Sequence, residues 1–204
     1  MKKPDRTREL LLDSAKRLFA QKGYDGTSVK ELAADAGVNI SLVSYHFKGK
    51  EGLYRTCLQQ YGKQRLQASM RILTAPATKE ELRLRLGLFV DEMISCHIEE
   101  PELSTIVHRE CEQELPIIPD IFRETFLRMF ETLIGFLKAA QRKKLFSKKI
   151  DAHLAAVFLF GSILHMFKTD AIGRKYFGLT IHEAKYRRRV RENIMKVFLD
   201  GVLA

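Results

Sequence analysis

Apolar residues along this 204-residue chain recur three and four positions apart, the spacing that aligns side chains on one face of an α-helix. Long alternating runs of β-branched residues do not occur, so the pattern predicts an all-α fold. A first helix is expected over about 6–22, with Leu11, Ala15, Leu18 and Phe19 on one face and a stop at Gly23. Ser28 caps a second, Glu31 three residues on completes a capping box, and Val29, Leu32 and Ala33 turn inward before Gly37 ends the helix. Asn39 caps a short third helix through Phe47. Gly49 separates that helix from a long fourth over 50–74, which stops before Pro76. Further helices are expected at 78–99, 102–114, 120–143, 151–172 and 180–202, making about nine in all. Pro101, Pro116 with Pro119, and Gly173 with Gly178 supply the breaks. No internal repeat or low-complexity linker interrupts the pattern.

Composition narrows the class. With 46% hydrophobic residues the chain can bury a proper core. The net charge of +10 favours a polyanionic partner. That charge is uneven, since residues 1–65 hold 13 Lys and Arg against 7 Asp and Glu. Charged residues at the start interrupt any apolar run of the kind an export signal needs, so the expected location is the cytoplasm. The most apolar stretch, LAAVFLFGSILHMF at 154–167, is broken by Ser162 and His165 and is shorter than the roughly 20 residues of a membrane span; no membrane partner is expected. Cys57, Cys96 and Cys111 have no paired metal spacing and read as reduced structural thiols. Cys96 with His97 and His108 with Cys111 form no closed ligand set, so neither a metal nor another cofactor is expected. A Gly-rich phosphate loop, a Gly-x-Ser-x-Gly elbow and a His-Glu-x-x-His pair are all missing, which argues against an enzyme.

The informative stretch is AADAGVNISLVSYHF, residues 33–47. In a helix-turn-helix one helix packs closely on the next and the chain reverses through a left-handed residue. Ala33 supplies the small packing position, Gly37 the turn, and Val38 and Val43 the apolar anchors. By themselves these features also fit a plain helical hairpin or an interaction module that uses the turn for protein contacts. With Val43 and Phe47 inward, Ile40, Ser41, Leu42, Ser44, Tyr45 and His46 face outward or to the edges, a composition suited to thymine methyl groups and sugar edges in a major groove. Thr27, Ser28, Lys48 and Lys50 flank that surface, and the start of the fourth helix at Lys50 offers backbone N–H groups to a phosphate.

TSVKELAADAGVNISLVSYHFKGKEGLY at 27–54, preceded by AKRLFAQKGYDGTSV at 15–29, resembles the N-terminal domain of the TetR family of bacterial transcriptional regulators. The resemblance spans about the first 60 residues. It implies a three-helix DNA-binding domain at 1–65, with the helix-turn-helix at about 28–47, joined by a long helix to a larger ligand-binding and dimerisation domain at 66–204. It further implies backbone or edge contacts to DNA by Thr27, Tyr45, His46 and Lys50, and base reading by Asn39, Ile40, Ser41, Leu42 and Ser44. The chain departs from the family at Ser44, where tyrosine is frequent. The expected function is that of a homodimeric repressor, released from a palindromic double-stranded operator by a small-molecule effector.

In the C-terminal half, Phe158, Phe160, Ile163, Leu164 and Phe167 cover more than one helix face, and Val190, Ile194, Val197, Phe198 and Val202 line the last helix. The resemblance implies that 151–172 and 180–202 pair with their symmetry mates. The intervening region carries His97, His108 and Arg109 as candidate effector-binding residues, Arg109 being the one that could pair with an anion. The basic runs RKK at 142–144 and YRRRVR at 186–191 read as solvated faces.

Overall fold

The computed structural model describes residues 3–201, with side chains from Arg6 onward. Among the described residues every regular element is helical: α1 (Lys3–Lys22), α2 (Val29–Asp35), α3 (Ser41–Phe47), α4 (Lys50–Ile72), α5 (Lys79–Glu99), α6 (Pro101–Glu112), α7 (Pro119–Phe122), a π-helical turn (Arg123–Leu127), α8 (Arg128–Arg142), α9 (Ala152–Lys168), α10 (Asp170–Phe177) and α11 (Ala184–Asp200). Val202, expected on the face of the last helix, lies outside the described residues.

Two compact units emerge. The chain up to Leu66 clusters with Glu100–Leu127, and Gln67–Glu99 clusters with the chain from Arg128 onward. The division falls inside α4. It differs from the expected arrangement, in which everything after residue 65 formed one domain, because 100–127 packs with the N-terminal helices.

In the first unit, α1 packs on α2, α3 and α6. Leu11, Ala15 and Phe19 of α1, Leu32 and Ala33 of α2, Val43 and Phe47 of α3, and Leu53, Tyr54 and Leu58 of α4 share one core with Leu103, Ile106 and Ile121. α2 and α3 are each only 7 residues long, too short to hold a helix by hydrogen bonding alone. Caps and apolar faces therefore hold them. Ser28 Oγ accepts from Glu31 N at 3.1 Å while Glu31 Oε2 accepts from Ser28 N at 2.9 Å, the reciprocal capping box. Asn39 Oδ1 accepts from the N–H of Ser41 at 2.9 Å and from its hydroxyl at 2.8 Å, starting α3.

In the second unit, α9 packs on α5, α8, α10 and α11. Its small inner face of Ala152, Ala155, Ala156, Leu159 and Ile163 is buried, while Phe160 meets both Phe89 and Phe130 edge-on. Where α5 packs on α11, the Arg191 guanidinium lies over Gly87, and Arg191 Nε donates to Asp91 Oδ2 at 2.8 Å. Arg187 donates to the carbonyl of His182 at 2.8 Å. Two arginines of the 186–191 run thus have structural partners, a correction to its reading as a solvated face.

Two expected helices are divided. The one over 120–143 contains the π turn, where Thr125 Oγ1 donates to the Ile121 carbonyl at 2.6 Å and a side chain at Gly62 would overlap the Thr125 hydroxyl. The one over 151–172 breaks at Thr169, and α10 bends 60° from α9. There Asp170 accepts from Ile181 N at 2.8 Å and Thr180 Oγ1 at 3.0 Å, tying α10 to the chain that follows it. No single described helix is long and apolar enough to cross a membrane.

Candidate nucleic-acid interface

The site is built on α3 and the ends of its neighbours. Gly37 (φ 65°) takes the left-handed conformation at the turn, its N–H bonding back to Ala34 at 3.1 Å and that of Val38 to Ala33 at 2.9 Å. Lys48 (φ 61°) ends α3 in the same conformation, an uncommon one for a residue with a side chain, and its N–H closes on the Ser44 carbonyl at 2.9 Å. Val43 and Phe47 are buried, and Arg8 sits 5.3 Å from the Phe47 ring centroid. The opposite face is open to solvent: Asn39, Ile40, Ser41 and Ser44 are exposed, and Tyr45 is 79% exposed. His46 is half-buried, with its ring edge-on to Tyr45 at 4.9 Å. Leu42 is half-buried and packs on the core, so it stands at the edge of the open face.

The two carboxylates of α2, Glu31 and Asp35, are ion-paired. Asp35 of α2 accepts from Arg17 at 2.7 Å and Glu31 from Lys22 at 2.6 Å. The Lys22 ammonium, with the Ser28 backbone and hydroxyl, lowers the Glu31 carboxyl from 4.5 to about 2. Asp35 is likewise held below the ordinary carboxylate range by hydrogen bonds from Ser14 and Arg17. Both carboxylates stay ionised and paired, so they repel an approaching polyanion less than free acids would.

The flanking residues separate into two groups. Ser28 and Lys48 are exposed. Thr27 is only 1% exposed and its hydroxyl donates to the Gly23 carbonyl at 2.8 Å, so the side chain expected at the DNA backbone is turned into the core. Lys50 Nζ donates to the carbonyls of Tyr24 and Thr27, both at 3.0 Å, and lies 4.1 Å from the Tyr24 ring centroid. Its ammonium closes the loop between α1 and α2. What Lys50 leaves available to a phosphate is the backbone start of α4 rather than its side-chain charge. One residue missed in the sequence is Gly52: a Cβ there would overlap the carbonyl oxygen of Phe47, so its absence lets α4 begin against the end of α3. A glycine inside a helical pattern, in KGKEGLY, was the available signal.

The candidate effector residues divide between the two units. His97 is buried in the second unit, its ring stacked on Phe167 at 4.5 Å and its Nδ1 2.7 Å from the Met93 carbonyl. His108 and Arg109 lie on α6 in the first unit, half-buried. The Arg109 fork donates to the carbonyls of Phe19 and Ala20, each at 2.8 Å, and these donors close the end of α1. Among the described residues no group of three or more His, Cys, Asp or Glu is placed to hold a metal ion. Burial pushes the Cys57 thiol up to about 12, which makes it unreactive.

Comparison with known proteins finds similarity over the N-terminal helices and over the whole fold. The model of the tetR family of bacterial regulatory proteins matches residues 11–57, from the middle of α1 into α4. YttP of Bacillus subtilis (strain 168), named as an HTH-type transcriptional regulator, is 33% identical over 118 residues, covering 56% of this chain and 55% of its own length. The HTH-type transcriptional repressor BepR of Brucella suis biovar 1 is 24% identical over 185 residues, covering 88% of this chain and 87% of its own. The solved structure of the regulator FadR from Bacillus subtilis, in complex with stearoyl-CoA, shares the fold with a TM-score of 0.73 at 19% identity, covering 96% of this chain and 99% of that one. Residues 11–57, which hold the capped α2, the glycine turn and the acid-free open face of α3, are thus what this chain shares with the tetR family of bacterial regulatory proteins.

Proposed function

We propose that this chain is a tetR-family regulator, a homodimeric repressor that reads a palindromic DNA operator with α3 and leaves it when a small molecule binds its C-terminal part. The observation that carries the DNA-binding reading is the open face of α3, where Ile40, Ser41, Ser44 and Tyr45 are exposed while Val43 and Phe47 anchor the helix. A solvated helix face favours charged residues, whereas hydroxyl, aromatic and aliphatic groups match base edges, thymine methyls and sugars. In this reading Asn39 caps the reader and stands beside the bases, Leu42 and His46 contact the groove edges, and Ser28, Lys48 and the backbone start of α4 hold phosphates.

A short reader covers few base pairs, so two copies about 34 Å apart are needed for useful specificity. The outer face of α9 supports pairing: Leu154, Val157 and Phe158 stand exposed at helical spacing, Phe158 at 68%. An apolar stripe of this kind is unfavourable on a lone chain in water. α11 adds the exposed Val197. Release requires an effector that binds one reader spacing more tightly than the other. Because a structural relative, FadR, is known in complex with stearoyl-CoA, acyl-CoA esters are the first ligands to try.

The test is selection of genomic fragments by the purified protein, followed by titration of the enriched sequence. A palindrome bound with a steep salt dependence, and released by a metabolite, supports the reading. Equal binding of all fragments at every salt concentration overturns it.

A further inference from the structure

We propose that Arg109 and Glu110 of α6 are positioning residues for DNA recognition, acting as a brace that fixes α1 relative to α4 and so sets the attitude of α3. The inference rests on the reading of α3 as the DNA reader. Neither residue lies in the helix-turn-helix, and their bonds run to the two helices that carry it.

The geometry has three parts. Arg109 spans two successive carbonyls, those of Phe19 and Ala20, both at 2.8 Å. These belong to the last turn of α1, where the Phe19 carbonyl also accepts from Gly23 N at 3.0 Å and a cation is favoured by the helix dipole. Gly23 makes room for this approach, since a Cβ there would fall 3.3 Å from Arg109 Nη1. On the next residue, Glu110 is 2% exposed and accepts from the Tyr54 hydroxyl of α4 at 2.6 Å. Between these bonds sits an aromatic trio: Phe19 is edge-on to Tyr54 at 4.9 Å, and Tyr24 is edge-on to Tyr54 at 5.1 Å. Lys50 completes the frame from the other side through the carbonyls of Tyr24 and Thr27.

α3 has few means of orienting itself. It is 7 residues long, packs against α1 and α2, and joins α4 through Lys48 and Gly49. Its direction is therefore dictated by where α1 and α4 sit. A buried carboxyl group tolerates little movement away from its hydroxyl partner, because a buried polar group that loses its hydrogen bond is costly. A two-pronged guanidinium likewise fixes direction where a single ammonium would not. α6 has two adjacent residues engaged on two different helices, which makes it a cross-member rather than a packing surface alone.

The test uses the full-length protein and its selected operator. Tyr54→Phe keeps the ring and removes one hydroxyl; Arg109→Met keeps the apolar stem and removes the fork; Arg109→Lys restores one donor. The expected result is an operator affinity about tenfold weaker for Tyr54→Phe and Arg109→Met, partly recovered in Arg109→Lys, with an unchanged slope of log affinity against log salt, because no phosphate contact is lost. Hydrogen exchange without DNA supplies a readout independent of the operator. Amides of residues 41–47 should exchange faster in both variants while those of 128–142 stay as in the parent. Parental affinity in folded Tyr54→Phe and Arg109→Met overturns the proposal, as does faster exchange spread evenly over the chain. A lower salt slope would make Arg109 a direct DNA contact, which also overturns it. If the parent protein selects no DNA, the repressor reading fails, and the exchange pattern still decides whether the brace exists.

Discussion

At Tyr45 the ring stands 79% exposed on a helix whose other aromatic, Phe47, is buried. Removing an exposed ring costs the fold little, so Tyr45→Ala should keep its melting temperature while weakening operator binding about tenfold or more, as read by fluorescence anisotropy. Glu31 offers a second check on the reader. Its carboxyl is lowered from 4.5 to about 2 by Lys22 and Ser28, so its ionised form favours the folded state. That contribution is present in full above pH 4.5 and is lost as the pH falls toward 2. Thermal melts should show the parent more stable than Glu31→Gln near neutral pH, with the gap closing across that window. At this scale the sequence named the outward residues of α3 correctly in kind. It could not foresee that Thr27 turns inward or that Lys50 bonds two carbonyls, because both depend on where the loop between α1 and α2 lies.

Elements were legible wherever their signals were local. The capping box at Ser28 and Glu31, the cap at Asn39 and the turn at Gly37 all act within four residues, and each is found as expected. The break at Thr169 and the π turn at Arg123–Leu127 were hidden, since Asp170 answers to Thr180 and Ile181, and Thr125 stands against Gly62. Gly52 is the element-scale position most open to test. A methyl group there would overlap the Phe47 carbonyl oxygen, so Gly52→Ala should push α3 and α4 apart. Chemical denaturation should show a loss of about 1–3 kcal/mol, and operator binding should fall further than that loss explains at temperatures where the variant is folded.

For the whole molecule, the stripe of Leu154, Val157 and Phe158 on α9 is the feature a single chain leaves unexplained. Phe158→Glu places a charge in the middle of it. Sedimentation should show the parent as a dimer and this variant as a monomer with unchanged helix content, and the monomer should bind a half-site weakly and the full palindrome no better. Retained dimerisation would move the interface elsewhere. In the parent, log affinity should fall linearly with log salt, with a slope set by the number of phosphates neutralised.

The helical class, the helix-turn-helix and the residues on its open face could be read from the chain alone, because capping, turning and periodicity are short-range effects written into neighbouring residues. The partners of Arg109, Glu110, Lys50 and Thr27 could not. Each is a polar or charged group whose role depends on which carbonyl or hydroxyl another part of the chain brings within 3.3 Å, and that is settled only when α1, α4, α6 and the loop after α1 pack. The apolar run at 154–167 shows the same division. Its hydrophobicity was plain, but only packing sorted it into an alanine-rich inner face that fills a core and an outer face of Leu154, Val157 and Phe158 that remains for another surface to cover.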